Sequence, residues 1–335
     1  MYAATSAAPV SSLDDIRALC TGDLKALDDL IHTALSTDVP LVAEVANYIV
    51  SAGGKRLRPL IVILAARAIA GPDLPGTRHI AAAAIIEFIH TATLLHDDVV
   101  DGSEKRRGRP TANSVFGNQA SVLVGDFLYS RAFQMMVDID DMTVMRVLAD
   151  ATNTIAAGEV LQLMNVGDPE TTEDAYRQVI YRKTARLFEA GGDIAAIITD
   201  AAPEVRTGLA KFGRELGVAF QLVDDALDYS ASEQELGKNL GDDLAEGKPT
   251  LPIIHAIRES HPAQRQLLQD AVSQGSVDRL NEICAAIEST GALEYTRVRA
   301  QEAADAAIDA LGVLPASDYR DALEAIASFS VARRF

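Results

Sequence analysis

Leu94-Leu95-His96-Asp97-Asp98-Val99-Val100-Asp101 closes the longest apolar stretch of the chain, Ile80 to Leu95. Read as a helix of about 3.6 residues per turn, it puts Asp97 and Asp101 one turn apart on the same face. Two carboxylates so placed repel each other, and the helix dipole disfavours negative charge at a C-terminal end. A cation relieves both costs. Mg²⁺ could take one oxygen from each carboxylate and keep its other positions for phosphate and water. Taken alone, the stretch also reads as a solvated acidic helix end.

Gln221-Leu222-Val223-Asp224-Asp225-Ala226-Leu227-Asp228 repeats the arrangement: an apolar approach, a DDxxD motif and then a loop. Both motifs follow a helical face with the composition of a buried one, so they can oppose each other across a cavity. Two facing carboxylate clusters suit a diphosphate held between them by several Mg²⁺ ions.

Outward from these motifs, apolar residues recur at helical spacing almost everywhere, and alternating strand-like runs are scarce. The spacing predicts helices near 12–34, 40–52, 57–70, 77–101, 111–137, 141–164, 172–199, 203–229, 249–258, 263–273, 276–288, 291–311 and 317–330. Loops fall at Gly71–Gly76, Gly102–Pro110, Val166–Glu170 and Ser230–Lys248. None is long and polar enough to be a domain linker, and no repeat of fixed period is visible. The expectation is a single all-α domain over residues 1–335, a helical bundle around a central cavity. The first forty residues form a helical region that adds little to the motifs.

The chain has 335 residues, 48% of them hydrophobic, and a formal net charge of -18. That charge excludes non-specific nucleic-acid binding, which needs basic surface to displace counterions. Cys20 and Cys284 are the only cysteines, which excludes a disulfide framework and fits a reducing compartment. The opening MYAATSAAPVSS has no export or transit pattern. Ile80 to Leu95 carries Glu87 and His90 and is short for a membrane span. A cytoplasmic protein that is not integral to a membrane is expected.

In a chain this acidic, clustered cations are informative. Gly53-Gly54-Lys55-Arg56-Leu57-Arg58-Pro59 puts three of them in a Gly-led loop at a helix start, where backbone N–H groups also favour anions. Arg106, Arg107 and Arg109 follow the first motif, and Lys183-Thr184, Lys238 and Lys248 add further donors. Arg forks hold phosphate oxygens in pairs, and Lys acts as a point charge. Each residue singly could be surface solvation, but together they outline two anion pockets. No P-loop, HExxH or GxSxG occurs. Glu87-Phe88-Ile89-His90 would need a second Glu-x-x-His to make a di-iron site, so His90 reads as a donor facing the cavity.

Gly54-Lys55-Arg56-Leu57-Arg58-Pro59, both DDxxD motifs, Arg106-Arg107-Gly108, Gly125-Asp126, Lys183-Thr184 and Gly237-Lys238…Gly247-Lys248-Pro249-Thr250 resemble the trans-polyprenyl diphosphate synthases. The likeness runs from about residue 45 to the C-terminus. Phe88 to His96, Val122 to Phe127 and Gly158 to Met164 bring it nearest the bacterial octaprenyl diphosphate synthases. This resemblance implies that Asp97, Asp98 and Asp101 bind Mg²⁺ on an allylic diphosphate, with Asp224, Asp225 and Asp228 completing the metal cluster. Of these, Asp97, Asp101 and Asp224 are the principal metal ligands. It implies that Lys55, Arg58, His90 and Arg107 bind isopentenyl diphosphate. Arg106, Lys183, Thr184 and Gln221 would hold the allylic diphosphate, with Lys238 and Lys248 assisting. Arg106 and Lys183 also count among the catalytic groups, and a homodimer is expected.

The implied reaction is ionisation, condensation and elimination. The leaving diphosphate is stabilised as an anion, the allylic cation alkylates isopentenyl diphosphate, and the released diphosphate can take the proton. Ala92 and Thr93 lie one turn before Asp97, beside the cavity face. Both are small, so the product tunnel should continue past them to a floor for which Phe133, Met136 and Leu148 are candidates. The expected product is octaprenyl diphosphate, primed by farnesyl diphosphate, for a quinone side chain and handed on to the membrane. Solanesyl and decaprenyl products stay open, as do a class I terpene cyclase and a non-catalytic synthase subunit.

Overall fold

The computed structural model describes residues 12–51, 56–106, 108–230 and 241–332. Its helices are α1 (Leu13–Leu19), α2 (Thr21–Ala34), α3 (Pro40–Ser51), α4 (Leu57–Ala70), α5 (Arg78–Val100), α6 (Ala112–Phe116), α7 (Asn118–Ile139) and α8 (Met142–Asn165). They continue as α9 (Glu173–Ile180), α10 (Arg186–Ile198), α11 (Pro203–Leu227), α12 (Asp242–Ala245), α13 (Leu251–Glu259), α14 (Pro262–Gln274), α15 (Leu280–Ser289), α16 (Ala292–Ala310) and α17 (Asp318–Val331). The fold is all-α. Among the described residues the only strands are β1 (Lys105–Arg106) and β2 (Arg109–Pro110), an antiparallel pair in the loop after α5.

Three predicted helices are interrupted. The 12–34 helix breaks at Cys20, and the 111–137 helix breaks at Gly117, whose φ of 85° leaves the helical region. The 172–199 helix contains a π turn over Tyr181–Ala185 between α9 and α10. Apolar spacing does not report such breaks, because the buried stripe resumes on the far side.

Helices α4 and α5 are apolar on nearly every side and lie inside the bundle. Packed around α5 are α2, α4, α7 and α10, and α11 lies against α10, α16 and α17. Phe88, Phe188 and Phe212 are among the largest fully buried side chains, each stabilising by about 1.5–3 kcal/mol through burial. A smaller core that includes Tyr229, Leu244, Ile253 and Ile287 lies under the C-terminal helices. At 23 residues α5 is longer than the apolar run suggested, and by length and hydropathy it could cross a membrane. Of its most apolar window, 67% is buried inside the bundle.

Close approach of α11 to α10 aims the second acidic motif. A Cβ on Gly213 would lie 2.2 Å from the Phe188 carbonyl oxygen, and one on Gly217 would lie 2.5 Å from Ala185 Cα. Both distances are below any real contact, so only glycine permits this spacing. One turn beyond Gly217, Gln221 comes beside the π turn, and a further turn on, Asp225 meets Tyr176 of α9.

Candidate active site

Helix α5 ends at Val100 with Asp101 as its C-cap, so the first motif sits at a helix C-terminus, as its spacing predicted. Burial pushes the Asp97 carboxyl above its ordinary range, Lys183 pulls it back, and Asp101 pushes it up again. This crowding of negative charge is what a bound cation would relieve.

Each outer carboxylate faces an ammonium. Lys183 Nζ is 3.9 Å from Asp97 Oδ2 and 2.7 Å from Glu159 Oε2. Lys248 Nζ is 2.9 Å from Asp101 Oδ2 and also pairs with Glu246. Burial disfavours a charged Lys248, yet Asp101 and Glu246 outweigh it and raise its pKa. The π turn carries Lys183 and Thr184, and it is seated on Gly158, where a Cβ would lie 2.7 Å from Arg182 Cβ and 3.0 Å from the Lys183 backbone nitrogen. An extra residue per turn often marks a functional position in a helix.

Two hydrogen-bonded bridges, one from Thr184 beside Lys183 and one from Lys248, lead to the second motif. Thr184 Oγ1 donates to Gln221 Oε1 at 2.8 Å, and Gln221 Nε2 donates to Asp225 Oδ1 at 2.7 Å. Beyond Lys248, its backbone N–H donates to Asp243 O at 2.8 Å, and the Asp243 N–H donates to Asp228 Oδ2 at 3.2 Å. Lys183, Thr184, Gln221, Asp225 and Lys248 line one cavity. The two motifs, 127 positions apart from Asp97 to Asp224 in sequence, therefore belong to one site.

Asp98, Asp225 and Asp228 are the more deeply buried members of the two motifs. Asp98 is fully buried, and its Oδ1 accepts from Arg106 Nε at 2.9 Å and Nη2 at 2.7 Å. Asp225 is 2% exposed and accepts from Tyr176 as well as Gln221. Burial, with Asp243 adding to it, raises its pKa to about 7. Asp228 is fully buried and bonded to the Asp243 backbone. These three carboxylates anchor the motifs inside the fold, while Asp97, Asp101 and Asp224 are the partly exposed members. Arg106 bonds Asp98, and Gln221 bonds Thr184 and Asp225.

Arg58 and His90 meet each other, with Arg58 Nη1 3.1 Å from His90 Nε2 and the guanidinium 4.4 Å from the centre of the Phe188 ring. A cation over an aromatic face is held in place as well as attracted. Arg56 is turned away to pair with Asp28. Lys55, Arg107 and Lys238 lie outside the described residues.

Ala92 is fully buried, and Thr93 is half-buried with its hydroxyl donating to the His90 carbonyl at 2.8 Å. Met136 and Leu148 are buried in the principal core. Phe133 differs from them in exposure. It is 36% exposed and shares a sector of about 100° on α7 with Val122, Leu123 and Val137, all of them exposed. Sequence reasoning also missed Glu159, Glu246 and Tyr176. A lone Glu inside the apolar run Ile155–Leu161 was a signal for the first, whereas nothing in the sequence marks Tyr176.

Among the described residues, no three of His, Cys, Asp and Glu converge into a ready-made metal cage. The carboxylates instead offer a part of a shell. That fits Mg²⁺, which keeps several waters and takes substrate phosphate oxygens alongside one or two carboxylates.

The Polyprenyl synthetase family model matches residues 39–287, from α3 through most of α15. The chain belongs to the polyprenyl synthetase family. It is 52% identical over 323 residues to the octaprenyl diphosphate synthase of Escherichia coli (strain K12), covering 96% of this chain and 99% of that one. To the all-trans-nonaprenyl-diphosphate synthase (geranyl-diphosphate specific) of Rhodobacter capsulatus it is 47% identical, covering 92% and 94%. Its fold is similar to the polyprenyl synthase of Caulobacter crescentus CB15, solved with calcium and isoprenyl diphosphate. The TM-score is 0.92 at 42% identity, covering 98% of this chain and 100% of that one. Like the family it belongs to, the chain is a prenyltransferase.

Proposed function

We propose that this polyprenyl synthetase adds isopentenyl diphosphate units to an allylic diphosphate, primed by farnesyl diphosphate, to make octaprenyl diphosphate. One observation carries the reading. Lys183 and Lys248 each touch an outer carboxylate of the first motif and are bonded through the protein to the second. The octaprenyl product rests on the 52% identity to the Escherichia coli synthase. The nonaprenyl relative at 47% makes a solanesyl product the second reading.

Mg²⁺ held by Asp97, Asp101 and Asp224 would supply positive charge at the departing diphosphate. Lys183 and Lys248 aim ammonium groups at the same anion in a partly buried site, where fixed charges count for more than in water. Arg106 locks Asp98 with Nε and Nη2 and keeps Nη1 for a phosphate oxygen. Arg58 and His90, with Lys55 and Arg107, bind the isopentenyl diphosphate. No protein base is required, because the released diphosphate can accept the proton that the condensation sets free. A tail growing from the allylic carbon would pass Thr93 and Ala92 toward Met136 and Leu148.

We further infer one catalytic domain acting as a cytoplasmic homodimer. The exposed apolar side of α7, with Leu123 at 65% and Val137 at 64%, supports self-association. A role in making a quinone side chain, with the product passed to the membrane, belongs to the same reading.

The test follows diphosphate release with farnesyl and isopentenyl diphosphates in Mg²⁺. Release that needs both substrates and is lost in Asp97→Ala and Asp224→Ala supports the proposal. Release from the allylic substrate alone would make the protein a terpene cyclase.

A further inference from the structure

Neither lysine of the allylic site is held by the acidic motifs alone. Lys183 Nζ lies between Glu159 Oε2 at 2.7 Å and Asp97 Oδ2 at 3.9 Å. Lys248 Nζ lies between Glu246 Oε2 and Asp101 Oδ2, the latter at 2.9 Å. In both places one ammonium is shared by a motif carboxylate and a carboxylate from elsewhere in the chain. Glu159 comes from the middle of α8, and Glu246 from the turn after α12. Both side chains are largely screened from water, at 29% and 26% exposure.

This duplication has an electrostatic cost. Two further carboxylates beside a pair of aspartates that already repel should be disfavoured unless they perform a task. An ammonium is a compact charge on a flexible stem. Without a second partner, Lys183 would close fully on Asp97, and Lys248, which already bonds Asp101 Oδ2 at 2.9 Å, would have no other carboxylate to move to when a cation needs that oxygen. With the glutamates present, each ammonium has somewhere else to stay within reach of the diphosphate.

We propose that Glu159 and Glu246 are positioning residues, which give Lys183 and Lys248 a second carboxylate to hold so that Asp97 and Asp101 can be ceded to a divalent cation. This rests on the function proposed above. It differs from a general contribution of negative potential, because it depends on reach: an aspartate keeps the charge but shortens the side chain by one methylene.

The experiment titrates Mn²⁺, a paramagnetic stand-in for Mg²⁺, into the full-length protein with inorganic diphosphate present and reads free Mn²⁺ by electron paramagnetic resonance. Glu159→Gln and Glu246→Gln, isosteric and independent of each other, should each weaken Mn²⁺ binding about tenfold, the scale of one charge-assisted hydrogen bond. Glu159→Asp and Glu246→Asp should not restore it. In turnover, the Mg²⁺ requirement should rise in parallel, with the KM for isopentenyl diphosphate unchanged. Unchanged Mn²⁺ affinity in both Gln variants, or full recovery in both Asp variants, overturns the proposal. If the unsubstituted protein fails to elongate any allylic primer, the proposed function falls instead.

Discussion

Lys248 Nζ and Asp101 Oδ2 lie 2.9 Å apart, which fastens the loop beyond the second acidic motif to the last carboxylate of the first. The backbone of the same lysine is bonded to Asp243 O, so one residue ties charge to fold. Lys248→Met keeps the stem but leaves Asp101 and Glu246 facing each other without a cation. The expected outcome is a fall in kcat of roughly a hundredfold, the scale of one preorganised donor to a developing anion. Single-turnover kinetics with saturating primer would measure it.

Gly158 sets the seat of the π turn. A methyl group there would collide with Arg182 Cβ at 2.7 Å and crowd the Lys183 backbone nitrogen at 3.0 Å. Gly158→Ala should therefore displace Lys183, lowering kcat, and should destabilise the fold by about 1–3 kcal/mol as an overpacked contact. Denaturant unfolding reads the second effect and steady-state turnover the first. Wild-type values for both would mean that the turn has room it is not seen to have.

Thr93 stands one helical turn before Asp97, on the same face of α5, and is half-buried. Filling that position with an aromatic ring should stop the growing tail early. Thr93→Phe is expected to keep elongating but to end at a shorter product, seen by mass spectrometry of the reaction mixture. An unchanged product length would remove Thr93 from the tunnel.

Far from the site, Asp23 on α2 accepts two bonds from Arg67 of α4, at 2.8 and 2.7 Å, and lies 3.3 Å from His79 Nε2 of α5. Burial holds the His79 pKa below its ordinary 6.5, against the pull of Asp23. The folded protein then binds this proton less readily than the unfolded chain, so stability falls as pH drops below that value. Burial alone would raise the Asp23 pKa, but its bonds to Arg67 and His79 outweigh this and lower it, adding a loss of the same sign below 3.8. Melting temperature should decline from about pH 7 to about pH 5, and less so in His79→Gln. Parallel curves would show that His79 is not part of the acid response.

The bundle was legible because apolar spacing survives local interruptions: α4 falls where its periodicity puts it, and α11 begins where expected at Pro203. The breaks at Cys20 and Gly117 were not legible because the apolar stripe resumes beyond each, and the π turn at Tyr181–Ala185 was not because it depends on tertiary contacts such as those at Gly158 and Gly217. Charge repulsion marked the acidic motifs as candidate cation ligands, and their repetition set them apart from solvated helix ends. The division of labour within them was not legible. How deeply an aspartate such as Asp98 or Asp225 is buried depends on where Arg106 and Tyr176 arrive, one from a loop hairpin and the other from α9. Of the three floor candidates Phe133 is the exposed one, and apolar spacing could not show this, since apolar residues on α7 face both the core and the outside.

Sizing the products of purified protein given farnesyl diphosphate, isopentenyl diphosphate and Mg²⁺, with and without a chelator, tests the central claim most directly. The account predicts a ladder of polyprenyl diphosphates that ends at octaprenyl diphosphate and vanishes when the metal is removed. A folded protein that elongates no allylic primer, or whose ladder is indifferent to the chelator, would contradict it.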